Sequence, residues 1–133
     1  MSKMNNININ LFLIPLFCFN CSDYFLDLGK GYTYRNEGGL LKDIFHKTNE
    51  GGEIPPTILA YNYDSKYIIA KQIPKLPFEA IRKQYKYEFG YSEVYYWIID
   101  KDKCKCYGPM NKKQYTILRE KLEIPSSLFF QEK

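Results

Sequence analysis

Apolar and polar positions alternate along several short stretches of the chain, and turn residues separate them. The clearest case is a pair of runs, Thr57 to Tyr63 and Lys66 to Gln72, around Asp64-Ser65. Period-two alternation on both sides of a short polar break predicts a β-hairpin. Ile58, Ala60 and Asn62 would share one side of the first strand, and Thr57, Leu59, Tyr61 and Tyr63 the other. Pro55-Pro56 suits a strand entry or an edge. A second hairpin is predicted from Tyr95 to Tyr107, looping around Lys101-Asp102 and ended by Gly108-Pro109. In that register Ile99 faces Cys104 and Trp97 faces Cys106, which sets both cysteines on one face of one strand.

Nearer the start, Tyr32 to Asn36 reads as a strand and Tyr24 to Leu28 as a weaker one, joined at Gly29-Lys30-Gly31. Residues 40–47 fit two periods. Leu40, Leu41, Ile44 and Phe45 would line a helical face, whereas Leu41, Asp43, Phe45 and Lys47 would share one side of a strand. Phe78, Ile81 and Tyr85 recur at near-helical spacing, which predicts a short helix from Phe78 to Tyr87 stopped by Gly90. Asn111 can cap a last helix, Lys112 to Leu122, with Tyr115, Leu118 and Leu122 on one face. The tail through Phe130 either docks or frays. Together these elements predict an α+β domain: an antiparallel sheet of about five or six strands with one or two short helices packed on it.

The apolar run Leu11 to Phe19 departs from alternation altogether. A bilayer span needs about 20 apolar residues, and this run has half that, with Pro15 in its middle. It follows a polar start bearing Lys3 and ends in Cys18, Phe19, Asn20, Cys21 and Ser22. A basic start and a short apolar run make a secretory signal. The small residues of an ordinary cleavage site are missing, so a lipoprotein signal fits better, with the lipid on the cysteine after the cut. Asn20 is smaller than Phe17, and apolar character stops at Cys21 but continues past Cys18. Residues 1–20 are therefore read as a cleaved lipoprotein signal, Cys21 as the lipidation site, and residues 21–133 as one small domain. Export and anchoring in a bacterial membrane follow, with Ser22 after the cysteine favouring the outer membrane over the inner.

Composition agrees with one domain of 133 residues: 45% hydrophobic is too rich for disorder, and 13 tyrosines suit half-buried sheet surfaces. The net charge is +4, and losing Lys3 with the signal leaves 18 basic and 15 acidic groups. Nucleic-acid binding calls for a concentrated basic stripe. The densest run, Lys101, Lys103 and Lys105, is interrupted by Asp100 and Asp102 and reads as a solvated face. No nucleic-acid partner is expected.

Candidate chemistry is sparse. Cutting before Cys21 leaves only Cys104 and Cys106 as thiols, two apart, which is an outer-limit spacing for a disulfide on one strand. A metal site would need further soft ligands, and His46 is the sole histidine. Small core residues beside Trp97 are the simpler reading of the two cysteines, and a sheet or surface residue that of His46. No phosphate loop or nucleophile elbow is present. The expectation is a protein without catalytic residues, cofactor or metal. The tyrosines of the two hairpins, among them Tyr61, Tyr63, Tyr67, Tyr95 and Tyr96, could form an exposed binding face, although covering the core and sheet edge is the commoner use.

The stretches CSDY, GYTYRNEGG, IPPTILAYNYDSKYIIAKQ and YYWIIDKDKCKCYGPM, within residues 21–123, resemble an uncharacterised family of small bacterial lipoproteins, a domain of unknown function. The resemblance implies export and lipidation at Cys21 and implies no activity or cofactor. The sequence thus leads to a lipid-anchored envelope protein acting as a non-catalytic binding module, with a protein partner possible. An immunity or inhibitor protein against a toxin or hydrolase is the alternative, and a thiol-redox protein using Cys104 and Cys106 a weaker one.

Overall fold

Two separate apolar stripes decide the architecture. In the computed structural model, which describes residues 23–75 and 84–132, seven strands form two antiparallel sheets instead of one. Strands β1 (Tyr24–Gly29), β2 (Tyr32–Asn36) and β3 (Lys42–His46) make a three-stranded sheet in the order β1-β2-β3. Strands β4 (Ile58–Tyr63), β5 (Tyr67–Gln72), β6 (Tyr95–Asp100) and β7 (Lys105–Met110) make a four-stranded sheet in sequence order. Among the described residues there is one helix, α1 (Lys112–Lys121).

The single sheet expected from the strand count is corrected by what the strands bury. Tyr32, Tyr34 and Ile44 of the first sheet pack with Ile58, Ile68, Ala70, Trp97 and Ile99 of the second in one core. Face-to-face packing buries both stripes, whereas one continuous sheet would leave the first uncovered. The other face of the second sheet carries Tyr67, Ile69 and Ile98, which pack with Tyr115, Ile124 and Leu128. Strands β5 and β6 are covered on both faces, so they read as near-continuous apolar runs.

Of residues 40–47, Lys42–His46 form a strand and not a helix: Ile44 and His46 turn inward, and Ile44 also bridges Ile54. Of the expected helix from Phe78 to Tyr87, residues 78–83 lie outside the described residues, and 84–87 form a turn and bend. Helix α1 matches its expected capping. The Asn111 side chain accepts from the Gln114 amide, and the Gln114 side chain accepts from the Asn111 amide, a capping box. The tail docks: Arg119 donates to the carbonyls of Leu128 (2.6 Å) and Pro125 (2.9 Å), and Leu128 is buried.

Three register expectations change. A bulge between Ile58 and Ala60 breaks the alternation of β4, so Ile58 and Tyr61 both face the inter-sheet core. Gly108-Pro109 does not end β7. It forms a bulge opposite Trp97, through which the strand continues to Met110. A Cβ on Gly108 would lie 2.6 Å from the Trp97 ring, and its φ of 146° also favours glycine. In the β6–β7 hairpin, Ile99 pairs with Cys106 and Asp100 with Lys105. The loop is longer than expected, Lys101 to Cys104, because an Asp100 carboxylate oxygen accepts from the amides of Asp102 (3.1 Å) and Lys103 (3.2 Å). Cys104 closes that turn in the left-handed region and is exposed. The two cysteines therefore do not share a strand face.

Candidate functional site

Strand β4 is the outer edge of the four-stranded sheet, and no strand among the described residues pairs with its free side. Its sequence, Ile58 to Tyr63, is apolar and aromatic, and Leu59 is exposed. A free apolar edge is a template for a further strand. A groove of about 370 Å³ follows it, walled by Tyr34, Asn36 and Lys42 of the first sheet and by Gln131 and Glu132 of the tail. Tyr61 stacks on Tyr34 with ring centroids 4.2 Å apart, and Tyr24 packs edge-on to Tyr34 at 6.2 Å. Burial pushes the Tyr61 hydroxyl up to about 12, so it is a neutral donor at ordinary pH. The Asn62 side chain donates to the Phe129 carbonyl (2.8 Å), which fixes the tail beside the groove. Backbone groups, two tyrosines, the amides of Asn36, Asn62 and Gln131, and a flanking lysine and glutamate are the polar equipment of this site.

A second, more open concavity of about 570 Å³ lies on the outward face of the first sheet, lined by Phe25, Asp27, Lys30, Thr33, Phe45 and Lys47. Beside it Arg35 holds Asp43 with two hydrogen bonds (3.0 and 2.7 Å) and lies 4.6 Å over the Phe45 ring.

The remaining tyrosines mostly serve the cores. Tyr67 is buried on the helix-covered face of the second sheet, Tyr95 is buried against Tyr87, and Tyr96 is half-buried against Tyr115. Trp97 donates to the Gln72 side chain (2.8 Å), which in turn donates to Pro56 O and Tyr87 Oη. The buried amide is thereby satisfied.

Of the sequence candidates, Cys21 lies outside the described residues. Cys104 and Cys106 are free thiols. Cys106 packs against the inter-sheet core, with its thiol 3.7 Å from the Glu53 carbonyl, and burial pushes that thiol up to about 12. His46 ends β3 and is buried against Tyr32, at 4.6 Å between ring centroids. Its Nδ1 accepts from the Thr48 amide, which leaves Nε2 as the donor to the Lys30 carbonyl (3.1 Å). Among the described residues no group of three His, Cys, Asp or Glu could hold a metal ion.

Two features escaped the sequence. The β4 groove needs the approach of the first sheet, which alternation along one strand does not encode. Lys101, expected on a solvated face, is only 3% exposed. Its ammonium donates to the carbonyls of Leu28 and Asp64, at 2.5 Å each. Its pKa is lowered, by burial first and by Lys30 nearby, with Asp64 and Asp27 opposing. Lys30 adds a salt bridge to Asp102. The three turns 29–31, 64–66 and 101–104 are thus drawn together at one end of the molecule.

The family model for a protein of unknown function, DUF3997, matches residues 30–133. No curated protein and no solved structure matches the chain. The chain belongs to the DUF3997 family.

Proposed function

We propose that this member of the DUF3997 family is a lipid-anchored protein of the bacterial envelope, held at Cys21, that binds a protein partner without a catalytic step. The outer membrane is the proposed location, from Ser22. The observation that carries the binding reading is the free apolar edge of β4 at the base of a groove. An extended partner segment would add as a strand, with main-chain hydrogen bonds for affinity and the Tyr34–Tyr61 stack for side-chain selection. The thiol-redox reading is weaker, because Cys106 is held as a neutral thiol beside the core and Cys104 lies apart in a turn.

The test uses the anchored full chain with a photo-crosslinking residue in place of Lys42, which lines the groove. Irradiation in the intact envelope is expected to give one discrete protein adduct. Added wild-type protein should compete it away, and Leu59→Lys, which puts a charge on the edge, should not. Equal competition by both, or no discrete adduct, would sink the groove. A toxin or hydrolase in the adduct would make this an immunity protein.

A further inference from the structure

The exposed apolar side chains of the first sheet are gathered at one end of it. The register sets Tyr24 beside Asn36, and Asn36 beside Lys42. The β2–β3 turn closes the same end, with the Glu37 amide donating to Leu41 O (2.8 Å). Tyr24 is 49% exposed, Phe25 57%, Leu40 42% and Leu41 43%. Adjacent strands lie about 4.8 Å apart, so these side chains span roughly 10 Å across the sheet. The opposite end holds the three turns drawn together around Lys101, and there charged side chains dominate the exposed ones, among them Lys30, Lys66, Asp102 and Lys103, with Tyr63 the exposed aromatic beside them. The molecule is polarised along its strands.

Cys21 stands three residues before Tyr24. A chain advances at most about 3.6 Å per residue, so Tyr24 lies within about 11 Å of Cys21. An anchor there would bring the apolar end, and not the charged one, to the lipid surface. We propose that Tyr24, Phe25, Leu40 and Leu41 seat in the headgroup region of the bilayer and hold the domain upright, with the turns around Lys101 pointing away. This orientation rests on Cys21 carrying the lipid. Tyrosine and phenylalanine are suited to that depth, where an amphipathic or aromatic ring meets both acyl chain and water. Lys42, at the same end, can extend its charge toward anionic headgroups. Asp23, Glu37, Asp43 and Glu132 are among the acids at this end, and Glu37 and Asp43 are paired with Arg35, at 3.2 and 2.7 Å.

The experiment follows two signals in the full chain made in bacteria: uptake of labelled palmitate, and tryptophan quenching by brominated acyl chains. Phe25→Trp and Leu41→Trp report the proposed contact, and Lys103→Trp reports the far end. The purified lipidated proteins are placed in phosphatidylethanolamine–phosphatidylglycerol vesicles. Palmitate should enter the wild type and not Cys21→Ala. With the emission of the native, buried Trp97 subtracted by reference to the wild type, fluorescence of the introduced ring in Phe25→Trp and Leu41→Trp should fall at least about twofold, as for rings below the headgroups, with that of Lys103→Trp unchanged. Palmitate uptake with equal quenching at both ends would overturn the orientation and leave the anchor. Equal labelling of wild type and Cys21→Ala, or none in either, would overturn both.

Discussion

Cys104 and Cys106 are two positions apart and differ in exposure and in what surrounds them. Cys104 is exposed at the end of a turn, whereas Cys106 lies against the inter-sheet core with its thiol pushed up to about 12. The thiolate is the reactive form, so a thiol held neutral by burial is slow. At pH 8, a disulfide reagent should modify one of these two thiols quickly and the other slowly. Cys104→Ser should remove the fast phase and Cys106→Ser should leave it. Two fast phases would return the pair to consideration as a redox couple. The sequence placed both cysteines near Trp97 but not in the right pairing, because a turn of four residues, organised by the Asp100 side chain, moves the register by two.

Hairpins are the elements most legible in the sequence, since alternation and turn chemistry are local. β4, β5 and β6 fall within about a residue of their expected bounds, as does α1 with its Asn111 cap. Bulges were not legible. Those at Leu59 and at Gly108-Pro109 answer to residues on other strands, namely the first sheet across the core and the Trp97 ring on the neighbouring strand β6. The tie between hairpins was hidden for the same reason: Lys101 reaches the carbonyls of Leu28 and Asp64, 73 and 37 residues away in sequence. Lys101→Met keeps most of the side-chain volume but leaves both carbonyls without their donor. Stability to urea should fall by about 1–3 kcal/mol, the penalty for buried acceptors left unpaired. Lys103→Met, at an exposed position of the same turn, should change it little.

The whole molecule has an alkaline weakness written in its tyrosines. Burial raises the pKa of Tyr32, Tyr34, Tyr61, Tyr85, Tyr87, Tyr95 and Tyr115, with Tyr61 and Tyr87 pushed up to about 12 from 10.0. Between those two values the folded chain keeps protons that the unfolded chain releases, so stability falls as pH rises. Cys106, raised to about 12 from 9.0, adds to this loss from about pH 9 upward, and Lys101 acts in the opposite sense below 10.5, as a single group against eight. Unfolding followed by circular dichroism should therefore show a stability plateau below about pH 9 and a steep loss toward pH 12. The share of phenolate absorbance that belongs to these seven rings should appear with the unfolding and not before it; full ionisation of all 13 tyrosines in a still-folded chain would contradict their burial. Alternation, turn residues and capping, all short-range, were enough for the sequence by itself to determine strand-rich structure and the last helix. Only the tertiary structure decided that the strands divide into two sheets, that Lys101 is buried, that β4 is a free edge beside a groove, and that apolar and charged ends face opposite ways. Each of these depends on which apolar stripe finds which partner, and that is settled by burial between residues far apart in the chain.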